Sequence, residues 1–149
     1  MTEIFVDEGL DASLGVFPRG GTNITTLYLG LFTSQTPSTV PARTAVGGAV
    51  PSGWTEAVGT AYARQAIAAA SWGAPATNGN GRRVAAGQVT MPTVGAAGWG
   101  TINGFFIATN PSSGAGDKII YFSNFDDGLA IIAGENDVIK VTPRMQYDG

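Results

Sequence analysis

The chain has 149 residues, the size of one domain, and only 13% of them are charged, about half the share of an ordinary soluble domain. Histidine and cysteine are absent, which excludes the commonest general base near neutral pH, thiolate nucleophiles, disulfides and the nitrogen and sulfur ligands of zinc. The net charge is −3 and no basic stripe is present, so we expect no nucleic acid partner.

The N-terminal segment, residues 1–18, combines a short strand at residues 4–6 with a short helix. Asp7 is placed to cap this helix, and Leu10, Leu14 and Phe17 recur at helical spacing after it. The first residues are acidic where a signal peptide would be basic, so we expect synthesis in the cytoplasm. No run of about 18 apolar residues follows, so we expect no membrane-spanning helix.

Residues 26–32 alternate with period two, which predicts a strand. Leu27, Leu29 and Leu31 lie on one side of it, and Gly30 and Phe32 on the other.

Residues 33–60 form a long segment with three prolines and no sustained periodicity. Loops of this length inside a domain are uncommon, and they are usually functional or disordered. A mobile surface loop is one interpretation. The segment also carries Val46, Val50, Trp54 and Val58, which gain little from exposure to water, so we favour an extended arm that lies on a neighbouring surface.

The rest of the chain reads as short strands separated by turn signals. The predicted strands span residues 62–68, 84–91, 102–109, 118–125, 129–132 and 138–146. Turn sequences such as Asn78-Gly79-Asn80-Gly81 lie between them. About eight strands without a crossover helix predict an all-β fold: a single antiparallel β-sandwich domain over residues 1–149, jelly-roll-like. Its predicted core residues are Ile102, Phe106, Ile119, Tyr121, Ile132, Ile139 and Val141.

Acidic side chains gather at two turns, Asp126-Asp127 and Glu135 with Asp137. A calcium site or a glycosidase-type carboxylate pair is one interpretation. Asp beside Gly or Asn in a turn more often bonds the local backbone, and we favour that interpretation. We therefore expect no enzyme activity, cofactor or metal.

Three tryptophans are candidates for core packing or for contact with a partner. Trp72 and Trp99 lie next to predicted strands, where core packing is favoured. Trp54 lies in the long segment, and we expect it to contact a partner.

An ordered set of short sequences resembles a family of small structural proteins of tailed bacteriophages. The set is LYLGLFT at residues 27–33 followed by Pro37, GTAYARQ at 59–65, WGTINGFFI at 99–107 and VIKVTP at 138–143. The landmarks follow the family's order and cover nearly the whole chain. Members are described as capsid cement (decoration) proteins or as tail fibre-like proteins, so the resemblance implies a jelly-roll-like β domain on the virion. It supplies no catalytic residues, and residues 33–60 are the family's variable part.

Together these observations predict a decoration protein on the outer surface of a phage head, which binds the major capsid protein and stabilises neighbouring capsomers. We expect a homo-oligomer, specifically a trimer, without a membrane or nucleic acid partner. The candidate contacts are Phe17 in the N-terminal segment and Arg43, Val46, Val50 and Trp54 in the arm. The alternatives are a tail or tail-fibre protein that binds a host receptor through aromatic side chains and turn tips such as residues 110–116, and a polysaccharide-cleaving enzyme.

Overall fold

The structure is a computed structural model that describes residues 3–5, 25–33, 55–79, 81–114, 116–125 and 130–147. These residues form twelve strands and one short 3-10 helix, Ala69–Ser71. The strands are β1 Glu3–Phe5, β2 Thr26–Thr33, β3 Thr55–Glu56, β4 Gln65–Ala68, β5 Ala76–Asn78, β6 Gly81–Ala85, β7 Val89–Thr90, β8 Gly100–Ala108, β9 Ile119–Asn124, β10 Ile131–Ala133, β11 Lys140–Val141 and β12 Arg144–Tyr147. Every strand pair among the described residues is antiparallel, which confirms the all-β prediction.

Seven strands form the main sheet, in the order β1-β9-β8-β2-β3, with β10 also paired to β8 and β4 also paired to β2. Ile102 of β8 pairs with Thr33 of β2 and with Ile131 of β10, so β10 lies on the same edge of β8 as β9. In the same way, β3 and β4 share one edge of β2. On each of these two edges, two strands follow one another along the same neighbouring strand.

The main core lies on one face of this sheet. Leu29 and Leu31 of β2 and Ile107 of β8 are fully buried there. Ile139 and Val141 pack in the same cluster, which brings in the small β7-β11 sheet. Partly buried Met145 brings in the third sheet, β12-β6-β5. The small sheets thus cover one face of the large sheet in a two-layered arrangement.

A second apolar cluster lies on the opposite face of the main sheet. It consists of Phe32, Phe106, Ala108, Ile119 and Phe122, all fully buried. The alternation predicted for residues 26–32 is confirmed, because Leu29 and Leu31 belong to the first cluster and Phe32 to the second.

Two predicted strands are each divided in the structure, and β3 and β5 lie outside the predicted strands, so the described residues form twelve strands where about eight were expected. The segment 84–91 is interrupted at Gly87, between β6 and β7. The segment 138–146 is interrupted before β12 at Pro143, which has no backbone N–H to donate to a ladder. The predicted turn at residues 78–81 is confirmed, since Asn78 pairs with Gly81. The predicted N-terminal helix lies outside the described residues.

One predicted core residue is wrong. Ile132 is 77% exposed, whereas its neighbour Ala133 is 2% exposed and packs in the main core. Side chains alternate along a strand, so placing Ala133 in the core turns Ile132 away from it. The other six predicted core residues are buried, with Phe106 and Ile119 in the second cluster: Ile102, Phe106, Ile119, Tyr121, Ile139 and Val141.

Candidate functional site

The predicted arm leaves and re-enters the main sheet at one place. Thr33 at the end of β2 pairs with Thr55 at the start of β3, and Phe32 pairs with Glu56. Residues 34–54 are therefore an insertion between two paired positions. The predicted arm, residues 33–60, is wrong at its C-terminal end, because residues 55–56 form β3 and Ala57 is buried in the main core. The five predicted contacts, Phe17, Arg43, Val46, Val50 and Trp54, all lie outside the described residues.

The return point of the arm is held by a buried arginine. Arg64 Nε lies 2.8 Å from Glu56 Oε1, and Nη2 lies 2.9 Å from Oε2, a bidentate arrangement. Arg64 Nη1 lies 2.7 Å from Asp117 Oδ2. The side chains of Arg64 and Asp117 are almost fully excluded from solvent, and that of Glu56 is largely so. Arg64 thus joins Glu56 of strand β3 to Asp117, which lies just before β9 and 53 residues after Arg64 in the chain.

The guanidinium of Arg64 also packs on an aromatic ring. Arg64 Cζ lies 4.9 Å from the centre of the Phe106 ring, which is cation–π geometry. The Phe106 ring lies over Gly30, where a Cβ would overlap the ring. Burial alone would lower the pKa of Arg64, but the hydrogen bonds and charges of Glu56 and Asp117 raise it above the ordinary arginine value. The guanidinium is therefore permanently charged.

Tyr62 is the fifth member of a group that also contains Arg64, Glu56, Asp117 and Phe106, which we call the Arg64 cluster. It lies on the side of β2. Its hydroxyl accepts a hydrogen bond from the Leu31 N–H at 2.9 Å and donates one to Glu56 Oε1 at 3.1 Å. Burial, and then the negative charge of Glu56, raises the pKa of Tyr62 above the ordinary tyrosine value. Its ring packs edge-to-face on Trp99 at 5.3 Å, and Trp99 Nε1 donates to the Thr60 carbonyl.

The same arginine fixes the base of the turn between β8 and β9. Arg64 Nη1 also donates to the Asn110 carbonyl at 3.0 Å, and Asp117 Oδ1 accepts the Asn110 N–H at 3.1 Å. Residues 111–114 at the tip are exposed. An exposed tip on a rigid base is a common arrangement for recognition.

The predictions for the aromatic and acidic residues have different outcomes. Trp99 is confirmed as a core residue at 3% exposure, and Trp72 packs partly buried against the same core. Asp137 accepts the Gly134 N–H through Oδ2 at 2.9 Å, which confirms turn chemistry at that position. Asp126 and Asp127 lie outside the described residues.

The arrangement around Arg64 is suited to anchoring the chain segments that it joins. Both carboxylates are engaged by the guanidinium, and the Tyr62 proton is held by Glu56. Within the described ranges, no group of three acidic side chains is placed to hold a metal ion. No helix in the described part of the chain has the length and apolar character needed to cross a membrane.

In the sequence, Arg64 and Tyr62 stand out only as part of the GTAYARQ landmark at residues 59–65, and Asp117 belongs to none of the predicted sites. Glu56 is near Arg64 in the chain, but Asp117 lies 53 residues from Arg64 and Leu31 lies 31 residues from Tyr62, so spacing does not reveal the cluster. One signal in the sequence could have pointed to Arg64. It is the single charged residue in the predicted strand at residues 62–68.

Fold and site define an all-β domain with an inserted segment and an exposed turn tied to one buried arginine. No protein-family model matches the chain, and no curated protein matches it significantly.

Proposed function

We propose that this chain is a bacteriophage virion structural protein without enzyme activity: a decoration protein on the outside of the head that binds the major capsid protein and stabilises neighbouring capsomers. It is proposed to act as a homo-oligomer, expected to be a trimer, with a jelly-roll-like β domain. The sequences that resemble the phage family support this proposal, because several of their residues belong to the Arg64 cluster or contact it: Gly30, Tyr62, Arg64, Trp99 and Phe106.

The observation that carries the proposal is the pairing of Thr33 with Thr55. A segment inserted between two paired positions is free to serve binding, because the sheet closes without it. The low charge of the chain suits attachment by buried surface, and a protein that binds only the assembled head stabilises that head by mass action.

The test replaces residues 34–54 by an Asn-Gly turn, which closes β2 and β3 as a hairpin. We expect the variant to fold and to melt as a cooperative domain, but to lose binding to phage heads assembled without the protein. The matched control changes Ser112 and Ser113 to Ala at the exposed tip and is expected to bind heads normally. Wild-type binding should saturate near one copy per capsid subunit and raise the melting temperature of the heads. Undiminished binding by the shortened variant would overturn the assignment of the arm.

A second candidate is a tail or tail-fibre protein that binds a host receptor, and the exposed tip at residues 111–114 favours it. Under this alternative the two variants exchange roles: the Ser112/Ser113 change reduces adsorption to host cells, and purified protein does not bind heads. Copy number per virion separates the two candidates, since a fibre is present in far fewer copies than the capsid subunit.

A further inference from the structure

Large apolar side chains with substantial exposure are confined to a few positions of the described chain. They are Val58 at 75%, Ile131 at 39%, Ile132 at 77% and Val138 at 47%. Single exposed apolar residues are ordinary, but a group of them at one place marks an interaction surface.

These four residues belong to chain segments that hydrogen bonds join to one another. The Trp99 N–H donates to the Ala133 carbonyl at 3.0 Å, and Trp99 Nε1 donates to the Thr60 carbonyl at 3.0 Å. The Asn136 N–H donates to the Val94 carbonyl at 2.9 Å. Residues 94–99 therefore join the segment of Val58 to the segment of Ile131, Ile132 and Val138, and we call these four residues the aliphatic end.

Strand β10 has one unpaired edge within the described part of the chain. It pairs with β8 on one side, and among the described residues no strand pairs with its other side. Residues 130–134 contain neither a charged residue nor a proline. Natural proteins usually protect an exposed edge with such residues, because an uncharged apolar edge pairs readily with another chain.

We infer that the aliphatic end is a self-association surface whose occupant is a second copy of this chain. In a closed symmetric oligomer, residues near the axis meet their own copies, so a charge there would be repelled by itself. An uncharged aliphatic segment meets this condition. Other strands satisfy it less well, since β3 contains Glu56 and β12 begins with Arg144.

Strand β4 is the other uncharged outer strand of the main sheet, and it differs from β10 in what it exposes. Its exposed side chains are the small Ala66 and Ala68, whereas Ile67 is buried in the core. Ala66 therefore provides a matched control position, also exposed and also on an outer strand of the main sheet.

The test uses the absence of cysteine from the chain, so that Ile132→Cys introduces the sole thiol. Under mild oxidation we expect the full-length variant to form a covalent pair on the order of a hundredfold faster than Ala66→Cys, because association raises the effective thiol concentration. Light scattering after size exclusion gives the mass, which we expect to be that of an oligomer for the wild type and of a monomer for Ile132→Lys. A monomeric wild type, an oligomer that survives Ile132→Lys, or equal oxidation rates for the two cysteine variants would each overturn the inference.

This inference deepens the oligomer part of the proposed function and rests on it, but the two fail separately. The chain shortened at residues 34–54 is expected to keep the wild-type oligomer mass while losing head binding. A protein that associates through Ile132 and binds no heads would reject the decoration function and retain the surface.

Discussion

Arg64 is the residue on which the described contacts converge. It is 6% exposed, lies on the Phe106 ring and bonds two carboxylates. Burying a charge is costly unless it is paired, and removing one partner leaves the other charges unpaired.

We therefore expect Arg64→Met to lower the free energy of unfolding by about 3–5 kcal/mol. Urea titration followed by tryptophan fluorescence measures this change. Arg82→Met is the control: Arg82 is exposed, and its loss should cost about 0.5 kcal/mol or less. Equal losses in the two variants would contradict the anchoring role of Arg64.

Tyr62 provides a pH-dependent test of the same cluster. Its pKa is raised in the folded state, so the folded protein keeps this proton at pH values where the unfolded chain loses it. The stabilisation is fully present below about pH 10, the ordinary tyrosine pKa, and it declines as the pH rises beyond that value.

From about pH 10 upward, we expect the stability of the wild type to fall more steeply than that of Tyr62→Phe, by at most about 1.4 kcal/mol per pH unit. Urea titrations at a series of pH values compare the two slopes. Parallel curves would show that the hydroxyl does not titrate differently on folding.

At the scale of strands, the sequence predicts the fold well where one strand carries its own pattern. The alternation of β2 and the hairpin at Asn78–Gly81 are local, so the period and the turn residues suffice. The interruptions at Gly87 and Pro143 were missed because the apolar pattern continues across them. Ile132 was misplaced because the pattern alone does not settle which of two neighbouring residues faces the core.

The Arg64 cluster could not be predicted from the sequence. Glu56 and Asp117 lie 8 and 53 residues from Arg64, and only the strand order brings them together. The predicted contacts in the arm stay predictions, because they lie outside the described residues.

The contact between β2 and β8 depends on a glycine. Gly30 pairs with Phe106 across the two strands, and a Cβ at position 30 would overlap the Phe106 ring that supports Arg64. The absence of a side chain at position 30 leaves room for the end of the Phe106 ring.

We expect Gly30→Ala to destabilise the domain by about 1–3 kcal/mol through overpacking. The double variant with Phe106→Leu should lose less than the sum of the two single changes, because the smaller side chain removes the overlap. Thermal unfolding measures all three. Gly87→Ala, where a Cβ meets open space, is the control and should have little effect. Additive losses in the double variant would contradict direct contact.

At the scale of the whole molecule, the two faces of the main sheet have different side chains and different neighbours. One face joins the small sheets in the main core, and the other carries the phenylalanine cluster with the Arg64 anchor at its side. The exposed tip at residues 111–114 and the aliphatic end both lie outside the main core, so a domain of this kind can change these surfaces without losing its fold.

That separation predicts opposite results at two isoleucines only seven positions apart. Ile139 is 4% exposed in the main core, and Ile132 is 77% exposed on β10. Ile139→Ala should cost about 2–5 kcal/mol because it leaves a cavity. Ile132→Ala should change the stability of dilute protein by about 0.5 kcal/mol or less.

Urea titration of both variants at low protein concentration gives the comparison. Raising the protein concentration should make the wild type more stable than Ile132→Ala, because only the wild type gains stability from association. A large loss for Ile132→Ala in dilute protein would place its side chain in the core after all and would remove it from the proposed surface.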